Sequence, residues 1–127
     1  MTGKLDDVVL DAMLDALPVE MSFVDVNDEV KYFNKNGDRI FPRSPGVIGK
    51  KVQQCHPPQS LDKVEAILKG FKDGSLDKAE FWIDIKGMKV YIRYFAVRDK
   101  EGKYLGCLEV SQDITRIQEL EGEKRLM

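Results

Sequence analysis

Cysteine and histidine are both scarce in this chain. Among 127 residues there are two Cys and one His. Cys55 and Cys107 lie too far apart for a CxxC pair and do not form a disulfide framework, which points to a reducing, cytoplasmic setting. The single histidine, His56, excludes every two-His metal motif. An excess of charge of one sign is also missing: 20 Lys and Arg against 22 Asp and Glu leave a net charge of -2. A nucleic-acid binder usually presents a strongly basic surface, so that class of partner is excluded. No apolar run reaches the roughly 18 residues needed to cross a bilayer, and the first residues lack the basic and apolar regions of a secretory signal. No GxGxxG, GxxxxGK[ST] or GxSxG loop is present, and no spacing around His56 recommends a catalytic triad. The expectation is a non-catalytic, membrane-free protein.

What is present suits one domain over 1–127, with 43% hydrophobic and 33% charged residues. Residues 4–17 read as a helix. Asp7, Asp11 and Asp15 form one polar stripe, nearly everything else is apolar, and Pro18 ends the run. Such a helix has more apolar surface than one core can cover. One side is expected to lie on the sheet. The other, Leu5, Val8, Val9 and Ala12 or the Leu10, Leu14 and Leu17 side, is expected to meet a second copy and form a homodimer.

Two β-like runs, 21–26 and 30–33, flank Asn27-Asp28-Glu29, which reads as a hairpin turn. Residues 34–49 hold three Gly and two Pro and predict loop and short helical turns. Ser60 is placed to cap a helix over 61–72, with Leu61, Val64, Ile67, Leu68 and Phe71 on one face. Strands follow over 79–85, 89–97 and 103–111, joined by turns at Lys86-Gly87 and at residues 99–102. Short turns make these neighbours antiparallel. Residues 114–126 read as a final helix with a capping box of Thr115 and Gln118. The order predicts an α+β fold: a five-stranded antiparallel sheet with inserted helices and terminal helices covering its other face. Trp82, Tyr91, Tyr94 and Phe95 are assigned to the sheet core, and Arg98-Asp99 to a turn ion pair.

Several stretches resemble a PAS domain along nearly the whole chain. They are LDALPVEMSFVDVNDEVKYFN, VIGKKV before the longer helix, YFAVRDKEGKYLGCLEVSQDIT, and within the last the Asp113-Ile114-Thr115 junction. CHPPQS at 55–60, with AEFWI and YIRYFAVRD, resembles the PAS module at the C-terminal end of bacterial and archaeal hemerythrin-like proteins. The resemblance implies an N-terminal helix over 1–18, a PAS core over 19–112 and an exit helix over 113–127. It also implies a pocket between sheet and helices, in a sensor or interaction module that binds haem, flavin, a small organic ligand or nothing.

Within that frame His56 and Cys55 beside the pocket mouth are candidate ligand-binding residues, His56 as a haem ligand or as a contact for a small carboxylate at the helix start. The bland reading makes Cys55 a small buried residue and His56 a loop residue held by Pro57-Pro58. VQQCHPPQS lacks the Arg and the apolar-Gln pattern of light-sensing flavin domains, which excludes that photochemistry. On the last strand, alternation from Asp113 would turn Ser111, Glu109, Cys107 and Leu105 to the pocket, with Arg93 as the partner of Glu109. A one-residue slip would leave Glu109 in solvent instead. Asp113, Ile114 and Thr115 are expected to relay a signal to the exit helix. Its a and d positions, Ile117, Leu120 and Met127, are interrupted by Lys124 and make only a weak coiled coil. Two functions follow as expectations: a sensor that relays a bound ligand, or a ligand-free dimerisation domain.

Overall fold

A computed structural model describes residues 2–127; Met1, the first residue of the expected domain, lies outside the described residues. The β-branched and aromatic runs form the five expected strands: β1 (Glu20–Asp25), β2 (Val30–Phe33), β3 (Lys78–Ile85), β4 (Met88–Arg98) and β5 (Tyr104–Asp113). They make one antiparallel sheet in the order β2-β1-β5-β4-β3. The first and last strands of the chain are therefore neighbours, which brings both ends of the sequence to the middle of the sheet.

Each hairpin turn is closed by the residues that the sequence marks for it. Asp25 Oδ1 accepts from the amides of Asn27 and Glu29, while Asp28 takes the left-handed conformation at φ 63°. Lys86 and Gly87 both have positive φ, so β3 and β4 are joined by a two-residue turn whose twist matches the sheet. Asp99 closes the third turn by accepting from Glu101 and Lys103. Its expected pairing with Arg98 is not made. Arg98 turns to Asp77 at 3.3 Å and donates to the carbonyls of Phe71 and Leu76, tying β4 to the end of a helix.

Between β2 and β3 run two 3-10 turns, Pro45–Val47 and Val52–Cys55, and the longer helix, Pro58–Asp73. This helix, the second in the chain (α2), starts three residues before the expected boundary. Pro57 occupies the N-cap, and Ser60 donates its hydroxyl to the Pro57 carbonyl instead of capping. A proline in the first turn loses no hydrogen bond, because its N–H would be an orphan there. Leu68 and Phe71 bury their side chains against Val24, Val30, Val52 and Cys107, with Val64 and Ile67 packed around them. That cluster is the core, and it lies over one end of the sheet's inner face.

The first helix, α1 (Asp7–Ala16), has no buried residue, and Val8 is 81% exposed. Leu17, next to Pro18, is already extended, as the proline requires. The fully buried Asn34 links this helix to the sheet: its amide donates to the carbonyls of Leu14 and Val19 and its Oδ1 accepts from the Met21 amide.

The expected exit helix over 114–126 is not formed. Only a 3-10 turn, Ile117–Glu119, follows β5, and every residue from 116 on is exposed. A helix this short is marginal in water without a buried face. The cap is also spent elsewhere: the Thr115 hydroxyl accepts from the Lys89 amide at 2.9 Å and donates to Asp113 at 2.6 Å. Nor do terminal helices cover the whole outer face of the sheet. Trp82, expected in the core, pairs with Tyr91 on that face and is 66% exposed.

Candidate functional site

The inner face of the sheet is a set of cross-strand rows, since side chains alternate with a period of two. One row reads Val24, Cys107, Ala96; the next reads Ser22, Glu109, Tyr94, Ala79; the third reads Glu20, Ser111, Ile92, Phe81. Core packing by α2 centres on the first row and reaches Tyr94 of the second. Over the second and third rows lies the loop that leaves β2, and the chemistry there is ionic.

Glu20 and Arg39 form the deeper pair, with side chains 4% and 2% exposed and 3.5 Å apart. Both are saturated. The Glu20 carboxylate accepts the amides of Ile40 and Phe41; Arg39 donates to the carbonyls of Phe41, Met21 and Asn34 and to Ser22 Oγ. These bonds hold the loop against the sheet. Arg43 and Glu109 form the second pair, 3.6 Å apart, with side chains 10% and 14% exposed.

His56 lies beside this second pair. Its Nε2 is buried and has no partner among the described residues. Burial holds its pKa below the ordinary 6.5; Arg43 pushes the same way and Glu109 opposes both. Tyr94, in the same row as Glu109, has its phenol pKa driven up by burial and then by that carboxylate. The Cys107 thiol is pushed up to about 12, first by burial and then by Glu109, and is inert.

Two spaces adjoin these groups. A nearly closed cavity of about 20 Å³ lies between α2 and the sheet, lined by His56, Tyr94, Cys107, Glu109 and apolar residues. Ligand pockets run about 300–1,000 Å³, so this cavity has room for about one water molecule. It does not fit a haem or a flavin. The second space is an open groove of about 460 Å³. Its walls are Arg43, Lys50, Gln54, Cys55, His56 and Glu109, and its apolar surface comes from Phe41, Val47, Ile83, Ile92 and Tyr94.

Of the expected site residues, His56, Cys55 and Glu109 meet at this groove, and Cys107 lines the closed cavity. Three others do not join them. Ser111 is buried on the inner face but opens into a different cleft, of about 480 Å³, with Glu20 and Arg39. Leu105 is 41% exposed because the pairing slips there: Arg98 faces Tyr104 while Val97 faces Gly106, so Leu105 is the extra residue of a bulge. Gly106 sits at φ 154°, where a Cβ would meet the Val24 carbonyl oxygen at 2.2 Å. Arg93 is on the wrong face to reach Glu109. Directly opposite Glu109 is Tyr94, whereas Arg93 stands opposite Val110 and stacks over Tyr91, 4.6 Å from its ring centroid.

Glu20, Arg39 and Arg43 escaped the reading of the sequence. A signal for them exists. Residues 39–61 contain Arg39, Arg43, Lys50, Lys51 and His56 but no Asp or Glu. A loop with cations and no local counter-charge needs carboxylates from elsewhere, and the sheet supplies Glu20 and Glu109.

Comparison with known proteins bears on the fold. A family model described as PAS domain matches residues 10–115. The chain is 36% identical to a C-terminal domain from Streptococcus mutans, with a TM-score of 0.88 over 95% of this chain and 94% of that one. It is also similar to the PAS domain of BvgS from Bordetella pertussis, with TM-score 0.62, 16% identity and 85% of each chain covered. A sensory box sensor histidine kinase from Vibrio cholerae gives TM-score 0.58 and 15% identity over 85% and 90%. No curated protein matches the sequence. Among the described residues no helix is long and apolar enough to cross a membrane.

Proposed function

This chain belongs to the PAS domain family, and from that premise we propose that it is the sensory module of a cytoplasmic signalling protein. In this reading it is a binding module without catalysis. It takes a small organic molecule in the groove beside His56 and passes the change to residues 113–127. The observation that carries the reading is the Arg43–Glu109 pair, largely removed from solvent yet opening into a groove of ligand size. Kinship in fold with domains of histidine kinases adds support by analogy alone. The 36% identical domain is a C-terminal domain, which supports a C-terminal place in a longer protein.

Asp113 and Thr115 are the natural relay. Asp113 ends β5 on the same sheet as Glu109, and Thr115 binds both Asp113 and the β4 amide of Lys89. A ligand shifts this junction only if it binds one arrangement better than the other. The decisive experiment is mass spectrometry of small molecules released by denaturing protein purified from its own host. Hydrogen exchange of residues 113–120 is then compared with and without the released compound. A stoichiometric compound and slowed or quickened exchange are expected. Finding no released compound and no change in exchange would overturn the reading.

A second reading is a ligand-free homodimerisation domain. It is favoured by the exposed apolar surface of α1, with Val8, Val9 and Met13 outside and Leu5 exposed just before it. Light scattering decides this: a dimer abolished by Val9→Glu supports it, and a monomer at tens of micromolar overturns it.

A further inference from the structure

Two arginines four residues apart on one loop are used in opposite ways. Arg39 donates four hydrogen bonds to protein groups and touches a carboxylate that is itself saturated. Arg43 has one contact, with Glu109 at 3.6 Å, which is beyond hydrogen-bond length. No hydrogen bond from its guanidinium to any described residue is made. An ion pair built only to hold the fold closes its hydrogen bonds, as Glu20 and Arg39 do. Arg43 instead keeps its donors toward the groove.

The groove's polar wall therefore offers a planar set of donors from Arg43 and the Glu109 carboxylate beside it, with His56 next to them. Its other wall is apolar, from Phe41, Ile83 and Ile92. Charge decides what fits. A plain carboxylate on Arg43 would lie next to Glu109 and leave two anions sharing one guanidinium. A plain amine on Glu109 would lie next to Arg43 and meet the converse problem. A ligand with both charges on neighbouring atoms leaves neither half of the pair uncompensated, and partial burial strengthens both contacts relative to water.

We propose that the groove binds a free α-amino acid with an apolar side chain. Its carboxylate lies on Arg43, its ammonium on Glu109, and its side chain against Phe41, Ile83 and Ile92. The proposal rests on the ligand-pocket reading above and names the ligand class for it.

Isothermal titration calorimetry of the full chain tests this with four compounds: L-leucine, L-phenylalanine, 4-methylpentanoate and 3-methylbutylamine. Leucine or phenylalanine is expected to bind, and each singly charged analogue to bind at least about tenfold more weakly. Arg43→Met should weaken amino-acid binding by about tenfold or more. Glu109→Gln, an isosteric change that keeps the fold even if Arg43→Met does not, should weaken leucine but strengthen 4-methylpentanoate, because the repulsion is gone. Circular dichroism melts verify that each variant is folded. If 4-methylpentanoate binds wild type as tightly as leucine, the amino-acid class is wrong and the ligand pocket stands. Failure of all four, with a different compound released on denaturation, has the same meaning. Failure of all four with nothing released overturns both readings.

Discussion

The two ends of the sheet's inner face are built on different principles. At one end α2 lays Leu68 and Phe71 on Val24, Val30 and Cys107, and the space left between helix and sheet is about 20 Å³, with a cleft of about 410 Å³ only on the helix's outer side beside Asp28, Lys69 and Lys72. At the other, a loop without regular structure lies over Glu20, Glu109 and Ser111 and is held by ionic groups, with clefts of about 460 and 480 Å³ beside it. Helix packing is short-ranged and leaves few gaps larger than a water molecule. Charged groups need partners and solvent access, and they leave space. The difference teaches where to look: the closed helix side supplies stability, and the loop side has the room and the chemistry for a ligand.

The comparison breaks most visibly at Phe71, which is fully buried. Phe71→Ala should cost about 3–5 kcal/mol in urea unfolding while leaving the loop-side groups in place. A loss below about 1 kcal/mol would mean that the helix end is not the stabilising half.

Next in size is the contrast between the two arginines. Arg39→Met strands the buried Glu20 and should cost about 3 kcal/mol. Arg43→Met removes one long contact and should cost about 1 kcal/mol. Equal losses in the same unfolding assay would make both pairs structural and erase the division between them.

Thr115→Val sharpens the comparison at the far edge of the loop side. The hydroxyl links Lys89 and Asp113, so its loss should cost about 1 kcal/mol. Faster exchange of the Lys89 amide would confirm that the link closes this edge; unchanged exchange would show that it does not.

The smallest effect is a pH slope. Burial, with help from Arg43, holds His56 below its ordinary 6.5 despite Glu109. The unfolded chain therefore binds that proton more readily. The stability from a neutral His56 is complete above pH 6.5 and is lost as pH falls from there toward the lower folded value. His56→Asn should flatten this part of a stability profile measured from pH 7.5 to about 5. An unchanged slope would mean that His56 is not held neutral.

Much of the fold was legible because its signals are local. Asn27-Asp28-Glu29, Lys86-Gly87 and residues 99–102 carry the backbone preferences of turns, and runs between them have the period of strands. Leu61, Val64, Ile67, Leu68 and Phe71 mark the face of α2 without reference to anything else. The exit segment shows the limit of that reading. Residues 114–126 have helical spacing and a plausible cap, yet their local preference is too weak without a surface to pack on. Thr115 binds the β4 backbone instead.

The site was legible only in part, for a reason of parity. That Glu109 and Cys107 share a face follows from a period of two, and both do line the inner spaces. That Leu105 does not follow them depends on the bulge it forms beside Gly106, and that Arg93 is excluded depends on which residue of β4 stands opposite Glu109. One residue of register exchanges the two faces. Sequence by itself determined the number and order of strands, the turns between them and the apolar face of α2, because each depends on neighbours along the chain. Only the tertiary structure decided that Glu109 meets Arg43 and not Arg93, that His56 joins them, and that the exit segment is not a helix. Those outcomes depend on pairings across many residues of sequence, where burial and register, and no local preference, select the partner.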